Sequence, residues 1–259
     1  MKILALYSSS LVASVAVVTD AVLTEEYTIN YKKTHSQTLL PMIDEITKII
    51  ELDLETIDAI AVAAGPGSFT GLRIGSATAK GLGLALKKPL ISVPTVDAMA
   101  YGLFGFADLV VPIMDAKRNQ VYTGIYCFRI EDGQYKMEVL RSQCAVGIEE
   151  LFAELNQKGQ RVVFTGDGIS VYQEQIAQKL QVGYSFAPPH LNRQRAGAVA
   201  ALAELYYAEG KIENAAEHKP DYLRLSQAER ERKEKKEGGT IYDTGSIDEK
   251  RGLQSDSRD

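Results

Sequence analysis

The sequence predicts a two-lobe α/β protein in which each lobe is a mixed sheet flanked by helices. Three observations carry that reading. Three short, β-branched-rich segments open the chain at 3–7, 13–19 and 22–29. Helix-like and strand-like segments then alternate to about residue 93. From residue 109 the same rhythm returns less regularly, with apolar strands, a hairpin and alternating helices.

Each element has its own signal. Ser8-Ser9-Ser10 and Thr19-Asp20 separate the first three strands tightly enough to make an antiparallel meander. A helix is expected over about 36–51, where Leu39, Leu40, Ile43, Ile46 and Ile50 recur at helical period. Thr34 and Gln37 have capping-box spacing at its start, and Pro41 falls in its first turns, where it removes one backbone bond. The apolar run 57–63 reads as a buried strand, and a strand at 90–93 follows the next helix, over 72–86.

The second half opens with a strand at 109–114, which runs into Asp115-Ala116-Lys117-Arg118-Asn119. Strands at 121–130 and 135–140 are joined through Glu131-Asp132-Gly133, a hairpin turn. A helix at 148–156, a strand at 161–165 and helices at 171–180 and 196–208 complete the ordered part. A meander followed by helix–strand alternation, occurring twice, is the pattern of the actin-like ATPase and sugar-kinase architecture. The expected division is an N-terminal lobe over 1–105, a C-terminal lobe over 106–225 and a tail over 226–259. That tail is rich in closely spaced opposite charges and has no apolar face, so a solvated helix passing into disorder is expected.

The corner between strand 57–63 and helix 72–86 holds the most informative residues. Gly65 and Gly67 allow backbone angles closed to other residues, Pro66 stiffens the turn, and Ser68 or Thr70 can cap the helix. The spacing fits neither the G-x-x-x-x-G-K-[ST] nor the G-x-G-x-x-G phosphate loop. Beyond the corner, Gly71, Gly75, Ala79 and Gly83 recur every four residues and so line one helix face. Interior glycines each cost roughly 1 kcal/mol relative to alanine, so another backbone is expected to approach closely. That backbone can belong to the chain's own sheet or to a partner's helix.

Composition excludes several function classes. A net charge of −5 offers no basic face to nucleic acid. Cys127 and Cys144 are too few for a disulfide framework, and His35, His190 and His218 lie too far apart for a metal-binding motif. The apolar start at 3–6 is too short for a signal or membrane segment, so a cytoplasmic protein is expected.

The stretch Gly65-Pro66-Gly67-Ser68-Phe69-Thr70-Gly71-Leu72-Arg73-Ile74-Gly75 resembles the signature of the TsaB family, also called YeaZ. Its members are bacterial proteins of tRNA threonylcarbamoyladenosine synthesis. Ile3-Leu4-Ala5-Leu6, His35-Ser36 with Leu39-Leu40-Pro41, the stretch from Pro112 to Arg118, and Pro220-Asp221-Tyr222-Leu223-Arg224 agree with it. The resemblance covers about residues 1–225. It implies a scaffold without autonomous catalysis that binds the related catalytic subunit TsaD, with the ATPase TsaE joining the pair.

In that reading the helices at 36–51 and 72–86 form the face that meets TsaD. The implied partner-binding residues are His35, Leu39, Ile43, Gly71, Gly75, Ala79 and Gly83, while Gly65, Pro66, Gly67, Ser68, Thr70 and Arg73 build the corner. tRNA is touched only indirectly, no cofactor is expected, and nucleotide belongs only at the junction with the catalytic subunit. The same face could serve a homodimer when the chain is alone.

Specific departures favour a silent site. Catalytic relatives carry an Asp in the first turn after strand one, and most of the TsaB family writes Asp-Thr-Ser there; this chain has Tyr7-Ser8-Ser9. A phenol cannot replace a carboxylate on magnesium. Thr95 and Met99 stand where those relatives carry a His-x-x-x-His pair. The competing reading is a degenerate kinase or metallopeptidase-like enzyme, for which Asp115, Lys117 and Arg118 would be the catalytic cluster. No Ser/His/Asp or HExxH motif is legible to support it.

Overall fold

A computed structural model describes residues 1–223, so the tail expected over 226–259 lies outside the described residues. The first sheet contains β1 (Lys2–Tyr7), β2 (Ala13–Thr19), β3 (Val22–Ile29), β4 (Ala59–Gly65) and β5 (Leu90–Pro94) in the order β3-β2-β1-β4-β5. β1 runs antiparallel to β2 and parallel to β4. Two long helices, α1 (His35–Ile49) and α2 (Phe69–Leu86), and a short one, α3 (Thr95–Tyr101), accompany it.

The second sheet is built from β6 (Leu109–Asp115), β7 (Gln120–Glu131), β8 (Gln134–Gly147), β9 (Val162–Thr165) and β10 (Tyr184–Phe186), with α4 (Ile148–Lys158) and α5 (Ile169–Lys179). Its order, β10-β9-β6-β7-β8, reproduces the first sheet: β6 pairs antiparallel with β7 and parallel with β9. The duplicated two-lobe architecture expected from the sequence is therefore present.

Period-2 alternation along the buried central strand sorts its side chains between two layers. Ile3, Ala5 and Tyr7 pack toward α6 (Ala196–Ala208), while Leu4 and Leu6 pack with Leu39, Met42, Ile43 and Ile46 of α1 and Ala79 of α2. α1 and α2 thus share one side of the first sheet, as their short connections require.

The structure revises several boundaries. The range 106–225 does not form one lobe: α6 returns to the first sheet, where Ala196, Val199, Ala200 and Ala203 lie against Ala5, Ala16 and Ala61. Small residues on both sides make that helix–sheet contact close. The strap after α6 also returns, bridging β5 through Leu90 and Glu213 and donating from Asp221 N to Ala64 O at 2.7 Å. β8 runs on to Gly147, well beyond the expected residue 140, and α3 was not expected at all. Thr34 is the N-cap residue of α1, but its side chain makes no capping bond, so the capping box is not formed.

Candidate functional site

The glycine corner is a docking surface for the turn between β1 and β2. Gly65 has φ +134° and faces the Asp221 carbonyl, so a side chain would be both strained and blocked. A Cβ on Gly67 would strike the Ser9 carbonyl, and Ser68 N donates to that same oxygen at 2.6 Å. Ser68 is the N-cap of α2, its hydroxyl accepting from Gly71 N at 3.4 Å, which assigns the capping role to Ser68 rather than Thr70. Arg73 lies over the Phe69 ring at 4.1 Å, and Phe69 in turn meets Tyr222 of the strap at 4.6 Å.

The stripe along α2 faces inward. A Cβ on Gly71 would strike the Ser8 carbonyl, and one on Gly75 would sit 2.5 Å from Ser8 Oγ. Ser8 Oγ also donates to Gly71 O at 2.8 Å. Ala79 is fully buried, and Gly83 is held against Ala215 and Leu90. The backbone that approaches this stripe is the chain's own. Leu39 and Ile43 are likewise core residues, and His35 turns toward the β1–β2 turn, its Nε2 bonded to Ser10 O at 2.6 Å. The seven residues expected on the partner face are therefore in contact with this chain itself. The apolar period that makes a helix amphipathic marks its core-facing side.

The outward face of the two helices carries different residues. On α2 these are Arg73, Ala77, Gly81, Leu84 and Ala85, with nothing within 4 Å of a Cβ built on Gly81. On α1 they include Leu40, Pro41, Asp44, Glu45, Lys48 and Ile49. Leu40 and Leu84 are each 55% exposed. Apolar side chains beside small residues give a flat surface on which another helix could lie close.

The carboxyl end of β1 meets the second lobe in a cleft of about 510 Å³, lined by residues that include Ser9, Ser10, His35, Gly67, Asp115, Lys117 and Asp167. Tyr7 is buried at this end of the strand with its hydroxyl unpartnered, and burial pushes its phenol well above the usual range. Thr95 and Met99 are buried on α3, with Thr95 Oγ1 3.3 Å from Ser9 Oγ. These side chains supply neither carboxylate nor imidazole. Among the described residues no three His, Cys, Asp or Glu side chains converge as a metal ion would need.

Asp115 accepts from Lys117 N at 2.8 Å and Lys117 Nζ at 2.6 Å. Lys117, Arg118 and Asn119 have successive φ values of 62°, 58° and 56°, which defines a tight turn rather than a catalytic cluster. Desolvation raises the Asp167 carboxyl above its ordinary range, opposed by its own backbone hydrogen bond and the nearby Arg193 charge.

The structure brings together one triad-like chain that the sequence gives no means of finding. His218 Nε2 lies 2.9 Å from Ser76 Oγ and Nδ1 lies 2.7 Å from Glu213 Oε1, while the Ser92 hydroxyl also bonds Glu213. With Nδ1–H donating to Glu213 and the Ser76 hydroxyl donating to Nε2, one tautomer satisfies the arrangement. Ser76 is 4% exposed and His218 1%, so no substrate reaches the hydroxyl. Together with Lys80 Nζ, which donates to Ala216 O at 2.9 Å, they fasten the strap to α2 and β5.

Comparison with known proteins places this geometry in context. Residues 23–232 match the family model described as TsaD, tRNA N6-adenosine threonylcarbamoyltransferase. A Bacillus subtilis protein named tRNA threonylcarbamoyladenosine biosynthesis protein TsaB is 31% identical over 88% of this chain and 96% of its own length. The Escherichia coli protein of the same name is 30% identical over 86% and 95%. The solved structure of YeaZ from Pseudomonas aeruginosa superposes with a TM-score of 0.72 at 25% identity, covering 86% of this chain and 99% of that one.

Proposed function

The chain belongs to the TsaB (YeaZ) family, and from that premise we propose that it is a non-catalytic scaffold subunit in the formation of tRNA threonylcarbamoyladenosine. It acts by binding a TsaD-like catalytic subunit, with a TsaE-like ATPase joining the pair, and it meets tRNA only through them. The observation that carries the reading is the replacement of the cleft's ligand set: Tyr7 ends β1, and Thr95 and Met99 are packed into α3. A buried phenol and a thioether offer magnesium no oxygen anion. Nucleotide, where used, would sit at the junction with the catalytic subunit.

The surface proposed for that partner is the outward side of α1 and α2, with Leu40, Ala77, Gly81 and Leu84 at its centre. Those are the apolar and small residues that the chain's own core leaves exposed. Size-exclusion chromatography of the chain with and without a TsaD-like subunit tests this reading. A stoichiometric complex is expected, with tRNA modification only in the mixture. Separate elution of the two proteins, or modification and ATP turnover by the rigorously purified chain alone, would overturn it. Elution of the isolated chain as a dimer that TsaD dissociates would show that both partners compete for this face.

A further inference from the structure

The outer edge of β3 is a strand edge left open beside a groove. Backbone N–H and C=O groups along a sheet edge pair readily with another extended chain, so edges are normally covered, shortened or lined with lysine. The other edges of the two sheets follow that rule. β5 is bridged by the strap through Leu90 and Glu213, and β10 is only three residues long. β8 carries Lys136 and Arg141 and is tied to the strap where Gln143 bonds Asp221. Among the described residues β3 pairs with β2 alone, and Val22–Ile29 contains neither lysine nor proline. Residues 25–29 keep an unbroken register with β2, so this part of the edge is regular.

A groove of about 500 Å³ runs between this strand and α1. Alternation along β3 sends Glu26 to Arg195 and Thr28 to Ser14, on the α6 side of the sheet. Glu25, Tyr27 and Ile29 are left facing α1, over a floor of Met42 and Ile46. Tyr27 is 39% exposed and Ile49, on the far rim, 61%, so apolar surface here lies uncovered. Glu25 and Glu45 set the sign of the groove. Neither has an ion-pair partner among the described residues, and Lys48, one turn along α1 from Glu45, is held by Asp44 at 2.6 Å. Lys33 is the single cation among the lining residues described.

The geometry points to a docking site for an extended, cation-bearing polypeptide segment of a partner, added to β3 as a further strand. The open edge supplies the backbone hydrogen bonds, and the groove takes every second side chain. Apolar side chains cover Tyr27 and Ile49, and lysine or arginine meets Glu25 and Glu45. A second copy of this chain fits less well, because two β3 strands would bring acids together with no base between them. The site adjoins the face proposed for the catalytic subunit, sharing Pro41, Glu45 and Ile49 of α1. It stands without that reading, since it uses the strand edge rather than the paired helices.

The test is protein-observed NMR on the full chain, titrated with a short end-capped peptide of alternating valine and lysine. Its valine–glutamate counterpart and its fully N-methylated form, which keeps the charge but cannot pair with an edge, are the controls. Saturable shifts around residues 25–29 and 37–49, with slowed exchange of β3 amides, are expected for the valine–lysine peptide alone. Glu25→Lys combined with Glu45→Lys should weaken that binding at least tenfold, while Glu174→Lys on α5 should leave it unchanged. If the double variant fails to fold, the N-methylated control on the wild-type chain decides in its place. No saturable shift with the valine–lysine peptide would overturn the assignment, as would equal binding of either control or wild-type affinity in the folded double variant. Shifts of the same β3 amides in the chain alone, lost on dilution, would assign the edge to a second copy and overturn it too.

Discussion

Helix α2 carries small residues on two sides, and the two sides meet different surroundings. The inward set, Gly71, Gly75, Ala79 and Gly83, lets the helix settle against Ser8, Val62, Leu90 and Ala215 of its own chain. The outward set, Ala77, Gly81 and Ala85, has the same four-residue spacing and faces outward. A small-residue stripe therefore says that a backbone approaches closely, but not whose backbone it is. What decides the inward side is the β1–β2 turn, whose Ser8 carbonyl and hydroxyl occupy the space that side chains on Gly71 and Gly75 would need.

That contrast can be broken by substitution, beginning with the largest expected effect. Ala79→Phe places a ring in a fully buried site and should cost roughly 1–3 kcal/mol or more through overpacking. For a protein of this size each kcal/mol corresponds to about 2–4 °C in melting temperature. A thermal melt within a degree of wild type would mean that the stripe does not face the core. Next is the strap that covers the inward side: His218→Ala would strand the buried Ser76 hydroxyl and leave Glu213 with the Ser92 hydroxyl in place of the imidazole, for a loss of roughly 1–3 kcal/mol. Hydrogen exchange should show the 210–223 segment opening before α2, and unchanged protection there would refute the fastening role.

Two smaller effects sharpen the comparison. Gly75→Ala and Gly81→Ala are the same chemical change in the same helix, yet opposite signs are expected. At Gly81 the added methyl meets nothing, so the better helix propensity should raise stability by about 1 kcal/mol. At Gly75 it lies 2.5 Å from Ser8 Oγ, a clash that should outweigh the propensity gain and lower stability. Urea denaturation of the pair reads the difference directly, and equal shifts would erase the distinction between the two faces.

Asp167→Asn is expected to have the smallest effect. A carboxyl whose folded pKa is raised binds more protons in the folded state, so its contribution to stability falls as pH rises from the unfolded value of 3.8 through the raised folded one. Asparagine removes that penalty. The variant should therefore melt slightly above wild type at neutral pH, with the gain fading below about pH 4. A lower melting temperature at neutral pH would show that Asp167 is already compensated.

Legibility in the sequence followed how local the deciding forces are. The opening meander is legible to within one residue because serine and Thr-Asp turns punctuate β-branched runs. α3 was not, since its seven residues Thr-Val-Asp-Ala-Met-Ala-Tyr are buried almost all round and show no amphipathic period. The polar run Arg141-Ser142-Gln143 hides the second half of β8 from the sequence, and it belongs to an irregular stretch of the β7–β8 pairing. The docking of α6 on the first sheet depends on contacts nearly two hundred residues apart, as when Ala196 N bonds Ser14 Oγ at 2.9 Å.

The glycine corner was legible as a close approach, though not its target, the Ser8-Ser9 turn. His35, which the resemblance places on the partner face, shares its helix with Leu39 and Ile43, but its ring turns back to reach Ser10. The outward residues Ala77, Gly81 and Leu84 carry no sequence signal of their own, because apolar period marks the side of a helix that its own core consumes.

The central claim is that the outward face of α2 is the one offered to a TsaD-like subunit. It is tested most directly by the dissociation constant of that complex measured with Gly81→Phe, alongside the variant's melting temperature. A ring on this exposed position should leave folding within about 1 kcal/mol of wild type, because nothing lies within 4 Å of a Cβ on Gly81. It should weaken partner binding by some tenfold to a hundredfold, the equivalent of roughly 1–3 kcal/mol of overpacking at the seam. An unchanged dissociation constant, with the variant folded, would place the catalytic subunit elsewhere on the molecule.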